Sequence, residues 1–161
     1  TFSKVLFPSL RLGYLIVPMD LVDIFTKTLS FISNHAPILE QIVLTEFIRE
    51  GHFGSHIRRM RNFYGARQKV LIEAINTDLS NYLEVEKDAA GMHLVGWLKN
   101  GLKDQIIAER ALEFGVYTPP LSFYCVKNKL PDGLLLGYTG INPTEILEVV
   151  RRLKKMFETI S

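Results

Sequence analysis

The order of apolar and polar residues predicts a short strand followed by three helices. An apolar run at residues 12–17 ends at a proline, which is typical of a buried strand. Apolar residues then recur every three or four positions, as expected for amphipathic helices. The first predicted helix begins at about Asp20. The second runs from Pro37 to Gly51, and the third from His52 to about Leu79.

Shorter elements follow after Asp78. Strands are predicted at residues 82–86, 92–98 and 134–139, and a helix closed by Gly115 at residues 103–114. Residues 116–126 contain Pro119-Pro120, which predicts two extended pieces separated by a turn. Asn142-Pro143-Thr144-Glu145 has the N-cap, proline and glutamate that begin a helix. This order predicts an α+β fold in which helices cover one face of a small sheet.

Composition narrows the class of protein. The 161 residues are 47% hydrophobic and 22% charged, with a net charge of +2, which indicates a soluble globular chain. That small charge does not favour nucleic-acid binding. Cys125 is the only cysteine, which excludes an internal disulfide, and no apolar run reaches the roughly 20 residues of a membrane span. We therefore expect a cytoplasmic protein and, because the first residue is Thr1, a piece of a longer one.

Candidate chemistry is concentrated in the first thirteen residues, TFSKVLFPSLRLG. A lysine such as Lys4 can hold an aldehyde cofactor as a Schiff base. The hydroxyls of Thr1 and Ser3 and the paired donors of Arg11 are suited to a phosphate dianion, and Gly13 allows the backbone to pack closely. From the residues alone, a solvated surface lysine remains the commoner alternative.

This segment resembles the cofactor-lysine segment of the pyridoxal phosphate (PLP) enzymes of fold type I, which share the aspartate aminotransferase fold. The matching positions are Thr1, Ser3, Lys4, Arg11 and Gly13. The resemblance implies that Lys4 is the catalytic aldimine lysine and moves the proton at the substrate α-carbon. It also implies that Thr1 and Arg11 bind the cofactor phosphate, with Ser3 beside them, and that the chain is the C-terminal portion of a PLP-dependent transferase fold.

Longer motifs resemble one branch of this superfamily, the aminotransferase-like domain of MocR-type GntR transcription regulators. They are EFIREGHFGSHIRRMRNFYGARQ, AGMHLVGWL and GLLLGYTGINPTEILEVVRRL, together with His35-Ala36-Pro37 and Gln41. The resemblance implies an effector domain that binds PLP and an amino acid or amine. It further implies a homodimer in the full protein and DNA binding through an N-terminal helix-turn-helix outside this chain.

The same resemblance divides the chain into three parts. Residues 1–36 correspond to a remnant of the large PLP-binding domain, residues 37–79 to long connecting helices, and residues 80–161 to a small C-terminal α+β domain. We expect residues 12–17 to be an N-terminal strand left from the large domain. Without its neighbours, this run is expected to form an exposed apolar patch that drives self-association, and the isolated chain is expected to carry neither PLP nor transaminase activity.

One departure from the family pattern bears on function. Aminotransferases carry an arginine in the penultimate strand that binds the substrate carboxylate, and Leu135 stands at that position here. This difference favours a regulator over ordinary transamination. The alternative is a stand-alone aminotransferase that transfers an amino group from an amino acid to a 2-oxo acid, and a third is an interaction domain without a cofactor.

Other candidate residues favour structural roles. His52 and His56 have the spacing of a metal pair but lack a third ligand, so no metal site is predicted. His93 is expected to be a packed, hydrogen-bonded histidine, and Cys125 a small hydrophobic residue. Basic residues on the third helix are expected to form a solvated face rather than a nucleic-acid surface; they are Arg58, Arg59, Arg61, Arg67 and Lys69.

Overall fold

Helices and a small antiparallel sheet make up the part of the chain seen in the computed structural model, which describes residues 1–33, 37–87, 91–126 and 130–160. The helices are α1 (Val22–Ser33), α2 (Ile38–Arg49), α3 (His52–Asp78), α4 (Asp104–Glu113) and α5 (Pro143–Glu158). The strands are β1 (Leu83–Val85), β2 (His93–Leu98) and β3 (Gly133–Gly137), and short 3-10 turns lie at Pro8–Leu10, Met19–Leu21 and Leu121–Tyr124. The chain forms two compact units, Thr1–Met60 and Arg61–Ser161.

The sheet of the second unit has the order β1-β2-β3, and both pairings are antiparallel. Leu94 lies opposite Leu136, and both side chains are buried in the main core together with residues of α3, α4 and α5. Gly96 leaves room for the Leu136 side chain, because a Cβ there would lie 2.9 Å from Leu136 Cδ1. A small sheet with one face covered by helices confirms the α+β prediction.

Helix α5 closes the core of the second unit. Asn142 accepts a hydrogen bond from the Glu145 amide at 3.0 Å, and the Glu145 carboxylate accepts one from the Asn142 amide at 2.7 Å. This capping box satisfies two amides that the first helical turn leaves unpaired. The buried face of α5 consists of Ile146, Val150, Leu153, Met156 and Phe157. A second link runs from α5 to the end of α3, where the Lys154 ammonium donates to Asp78 at 2.7 Å and this bond raises the pKa of Lys154.

The first unit buries much less of its apolar surface. Its core is a cluster of Leu10, Leu12 and Leu44, against which Phe2 and Leu6 pack. Helix α1 has no buried residue, and Phe31 in that helix is 90% exposed. The first unit therefore presents an apolar surface that its own described residues do not cover.

Two local predictions are wrong. Residues 12–17 form no strand: the segment is extended but pairs with no described strand, so the N-terminal strand of the expected fold is missing. Leu12 is buried, whereas Tyr14, Leu15 and Ile16 are 67%, 75% and 89% exposed, as the expected apolar patch requires. The second extended piece expected after Pro120 is the 3-10 turn Leu121–Tyr124. The predicted contribution of His35-Ala36 lies outside the described residues.

Candidate functional site

The first thirteen residues form a closed loop, which we call the lysine loop (residues 1–13). The Phe2 amide donates to the Leu12 carbonyl at 2.9 Å, and the Thr1 hydroxyl donates to the same oxygen at 3.2 Å. A Cβ on Gly13 would lie 3.4 Å from Thr1 Cα, so the two ends of the loop are in van der Waals contact. The fold therefore brings Thr1 and Arg11 to the same end of the loop, although ten residues separate them in sequence.

Lys4 lies in a tight turn within this loop. The amides of Val5 and Leu6 both donate to the Phe2 carbonyl, at 3.1 and 2.8 Å. The Lys4 side chain is exposed, and no described side chain forms an ion pair or hydrogen bond with its ammonium group. The amine is thus available for chemistry while its backbone is held.

Arg11 has an unusual backbone conformation. It ends the 3-10 turn Pro8–Leu10 with φ 48° and ψ 30°, the left-handed region that side chains other than those of glycine, asparagine and aspartate seldom adopt. Such a conformation costs on the order of 1–3 kcal/mol and is common at functional sites. The Arg11 side chain is exposed and contacts no carboxylate among the described residues.

The donors of the loop suit a phosphate dianion. Arg11 offers paired N–H groups, and Ser3 offers a hydroxyl. The Thr1 hydroxyl also accepts from the Ser3 amide at 3.2 Å. Its own bond to the Leu12 carbonyl is long for an O–H···O contact, so the hydroxyl can exchange that weak bond for one to a stronger acceptor. The residues present therefore fit a phosphorylated aldehyde such as PLP.

The other candidate residues contact protein groups that give them structural roles. His52 contacts the Glu50 carboxylate at 3.1 Å, and His56 contacts the Val5 carbonyl at 2.9 Å. No group of three or more His, Cys, Asp or Glu side chains among the described residues is placed to hold a metal. Arg67 donates to the Thr139 carbonyl and lies over the Phe63 ring.

His93 differs from its expectation as a packed histidine. It is exposed, because its register opposite Gly137 places it on the sheet face that the main core does not use. Val95, Trp97 and Leu135 share that face by strand alternation. Leu135 is half-buried opposite Val95, and none of the strand residues on this face is an arginine.

Comparisons with known proteins show which family the fold and sequence resemble. The chain is 38% identical over 157 residues to a probable rhizopine catabolism regulatory protein of Rhizobium meliloti, and covers 32% of it with 98% of its own length. It is 30% identical to an uncharacterised aminotransferase of Saccharolobus solfataricus, covering 38% of that protein with 95% of its own length. The α-aminoadipate aminotransferase structure from Thermus thermophilus, complexed with a phosphopyridoxyl-leucine, superimposes with a TM-score of 0.89 at 25% identity, covering 99% of this chain and 41% of that one. The chain belongs to the fold-type I aminotransferase superfamily. No protein-family model matches it.

This aminotransferase-superfamily chain spans about a third of the length of the curated relatives it matches. An uncharacterised HTH-type transcriptional regulator of Bacillus subtilis is also similar, at 31% identity over 96% of the chain and 33% of the regulator. The aminotransferases of the superfamily depend on PLP. Among the described residues, no helix combines the length and hydropathy that a membrane crossing requires.

Proposed function

We propose that this chain is part of a PLP-binding, aminotransferase-like effector domain of a GntR/MocR-type transcription regulator. The observation that carries the proposal is the 38% identity to a regulatory protein along 98% of the chain. The lysine loop supports it, since Lys4 offers an exposed amine and Arg11, seven positions later, an exposed guanidinium. DNA binding through a helix-turn-helix elsewhere in the full protein, a homodimer and a cytoplasmic location belong to the same proposal, as does the division at residues 36 and 79.

Within this proposal the residues of the lysine loop have two roles. Lys4 would hold the cofactor through its aldehyde, and Arg11, Thr1 and Ser3 would hold its phosphate. When bound, PLP supplies an electron sink for the α-carbon of an amine ligand. Lys4 would take or return the proton at that carbon.

The experiment is to trap the cofactor on its lysine. We expect borohydride reduction of the full protein with PLP to leave a stable pyridoxyl group on Lys4, because its amine is exposed and forms no ion pair with a described residue. Peptide mapping by mass spectrometry locates the label. A label on another lysine rules out the assignment, and a Lys4→Arg variant that still takes up one equivalent of label does the same.

A stand-alone aminotransferase is the second candidate, and similarity to several aminotransferases favours it. The regulator and the stand-alone aminotransferase differ in the part of the protein outside this chain. A regulator contains a basic helix-turn-helix segment and binds DNA in a mobility-shift assay, with an affinity that falls steeply as salt rises. A protein without such a segment, or without DNA binding at low salt, supports the enzyme.

The sheet face around Leu135 gives a kinetic test. Since leucine cannot bind a carboxylate and the strand residues beside it include no arginine, common α-amino acids are expected to be poor amino donors. The measurement follows conversion of bound PLP to pyridoxamine phosphate with alanine, glutamate and aspartate. Fast turnover by the unmodified protein contradicts the prediction.

A further inference from the structure

Two side chains of helix α3 contact the lysine loop on either side of Lys4. The Phe53 ring packs edge-on against the Phe2 ring, with centroids 5.9 Å apart. One turn later, His56 Nε2 lies 2.9 Å from the Val5 carbonyl oxygen. Residues three apart share a helix face, so a single face of α3 contacts the side chain two residues before Lys4 and the backbone one residue after it.

The contact from His56 is directional. A carbonyl oxygen can only accept a hydrogen bond, so His56 Nε2 must carry the proton and donate it. The imidazole is half-buried, and it spans 51 residues of sequence to reach the loop. The Phe2 contact is apolar and does not fix a direction, whereas the His56 bond orients the peptide group between Val5 and Leu6.

We propose that His56 is a positioning residue for Lys4: its Nε2 proton holds the Val5 carbonyl and so fixes the turn from which the lysine projects. The inference rests on the proposed function, in which Lys4 binds PLP. Without this bond the loop keeps its closure at Leu12 and its two amide hydrogen bonds to the Phe2 carbonyl, but the peptide group between Val5 and Leu6 loses the contact that orients it.

Amide hydrogen exchange of the 161-residue chain tests the bond itself. His56→Leu removes the donor, and His56→Gln returns an N–H at the same distance along the side chain. His52→Leu is the matched control, since His52 lies on the same helix and contacts Glu50 instead of the lysine loop. We expect the amides of Val5 and Leu6, which form the turn at Lys4, to exchange about two- to tenfold faster in His56→Leu, the effect of one lost hydrogen bond. Rates close to those of the unchanged chain are expected for His56→Gln and His52→Leu.

PLP titration of the full protein tests the consequence for Lys4. We expect His56→Leu to weaken PLP binding about two- to tenfold and His56→Gln to restore it. Unchanged exchange in His56→Leu, or equally fast exchange in His56→Gln, overturns the positioning role. If Lys4 takes the borohydride label but His56→Leu binds PLP normally, the positioning role is wrong and the proposed function stands. If Lys4 takes no label, the proposed function fails whatever the exchange rates show.

Discussion

Replacing Phe157 with alanine is expected to lower the free energy of unfolding of the second unit by about 3–5 kcal/mol. Phe157 is 1% exposed and stacks on Tyr82, with ring centroids 4.6 Å apart, so truncation leaves a cavity that the surrounding helices and strands fill only in part. A loss of this size is a large fraction of the stability of a small domain. Urea denaturation measures it.

The chain offers a matched control and a local probe. Phe123 is 73% exposed in the same unit, and Phe123→Ala is expected to change stability by less than about 0.5 kcal/mol. Trp97 is the only tryptophan and lies in β2, so its fluorescence reports unfolding of this unit. Equal losses for the two phenylalanine variants contradict the packing described for α5.

Replacing Arg11 with alanine is expected to weaken PLP binding by the full protein about tenfold or more. A charge-assisted hydrogen bond to a phosphate is worth about 1.5–3 kcal/mol, and 1.4 kcal/mol corresponds to a factor of ten. Folding is expected to change little, since the Arg11 side chain is exposed and contacts no described carboxylate. Fluorescence titration with PLP gives the affinity, and urea denaturation gives the stability.

Two control variants distinguish direct phosphate binding by Arg11 from a non-specific effect of positive charge on PLP affinity. Arg59→Ala removes another exposed charge, on α3, and is expected to leave PLP affinity unchanged. Arg11→Lys keeps the charge but loses the paired N–H donors, so an intermediate affinity is expected. An Arg11→Ala titration curve that matches the unchanged protein removes Arg11 from the site.

Elements whose signals are local could be predicted from the sequence. The start of α5 depends on Asn142 and Glu145, which bond each other's amides across three residues. The end of α4 depends on Gly115, whose φ of +71° allows the chain to turn while its amide donates to the Leu112 carbonyl. The residues that produce each feature are adjacent in sequence, so the pattern and the structure agree.

Elements that depend on distant partners could not be predicted in this way. Residues 12–17 have the composition of a strand, but a strand also needs a neighbour to pair with, and the described chain provides none. The 3-10 turn after Pro120 has a distant cause too. Buried Asp104 accepts from the Ser122 amide at 2.8 Å and from its hydroxyl at 2.9 Å, which draws the chain into a turn.

The same distinction between local and distant signals applies to the candidate site. Lys4 and Arg11 could be selected from the motif, because their chemistry and spacing lie within eleven residues. The support from His56 could not, since 51 residues separate it from Val5. The histidine pair on α3 has the spacing of a metal pair, and the only sequence signal for the contact of His56 with Val5 is the helix face that His56 shares with Phe53.

The bond from His56 to the Val5 carbonyl has a consequence for how the gene can drift. Position 5 contributes only a backbone oxygen to the contact, and its side chain is 37% exposed, so many residues can replace valine there without disturbing the bond. Position 56 contributes a side-chain donor of fixed reach, for which only glutamine has a similar geometry. We therefore expect position 5 to vary more among related proteins than position 56, which the proposed support of Lys4 would restrict to histidine or glutamine.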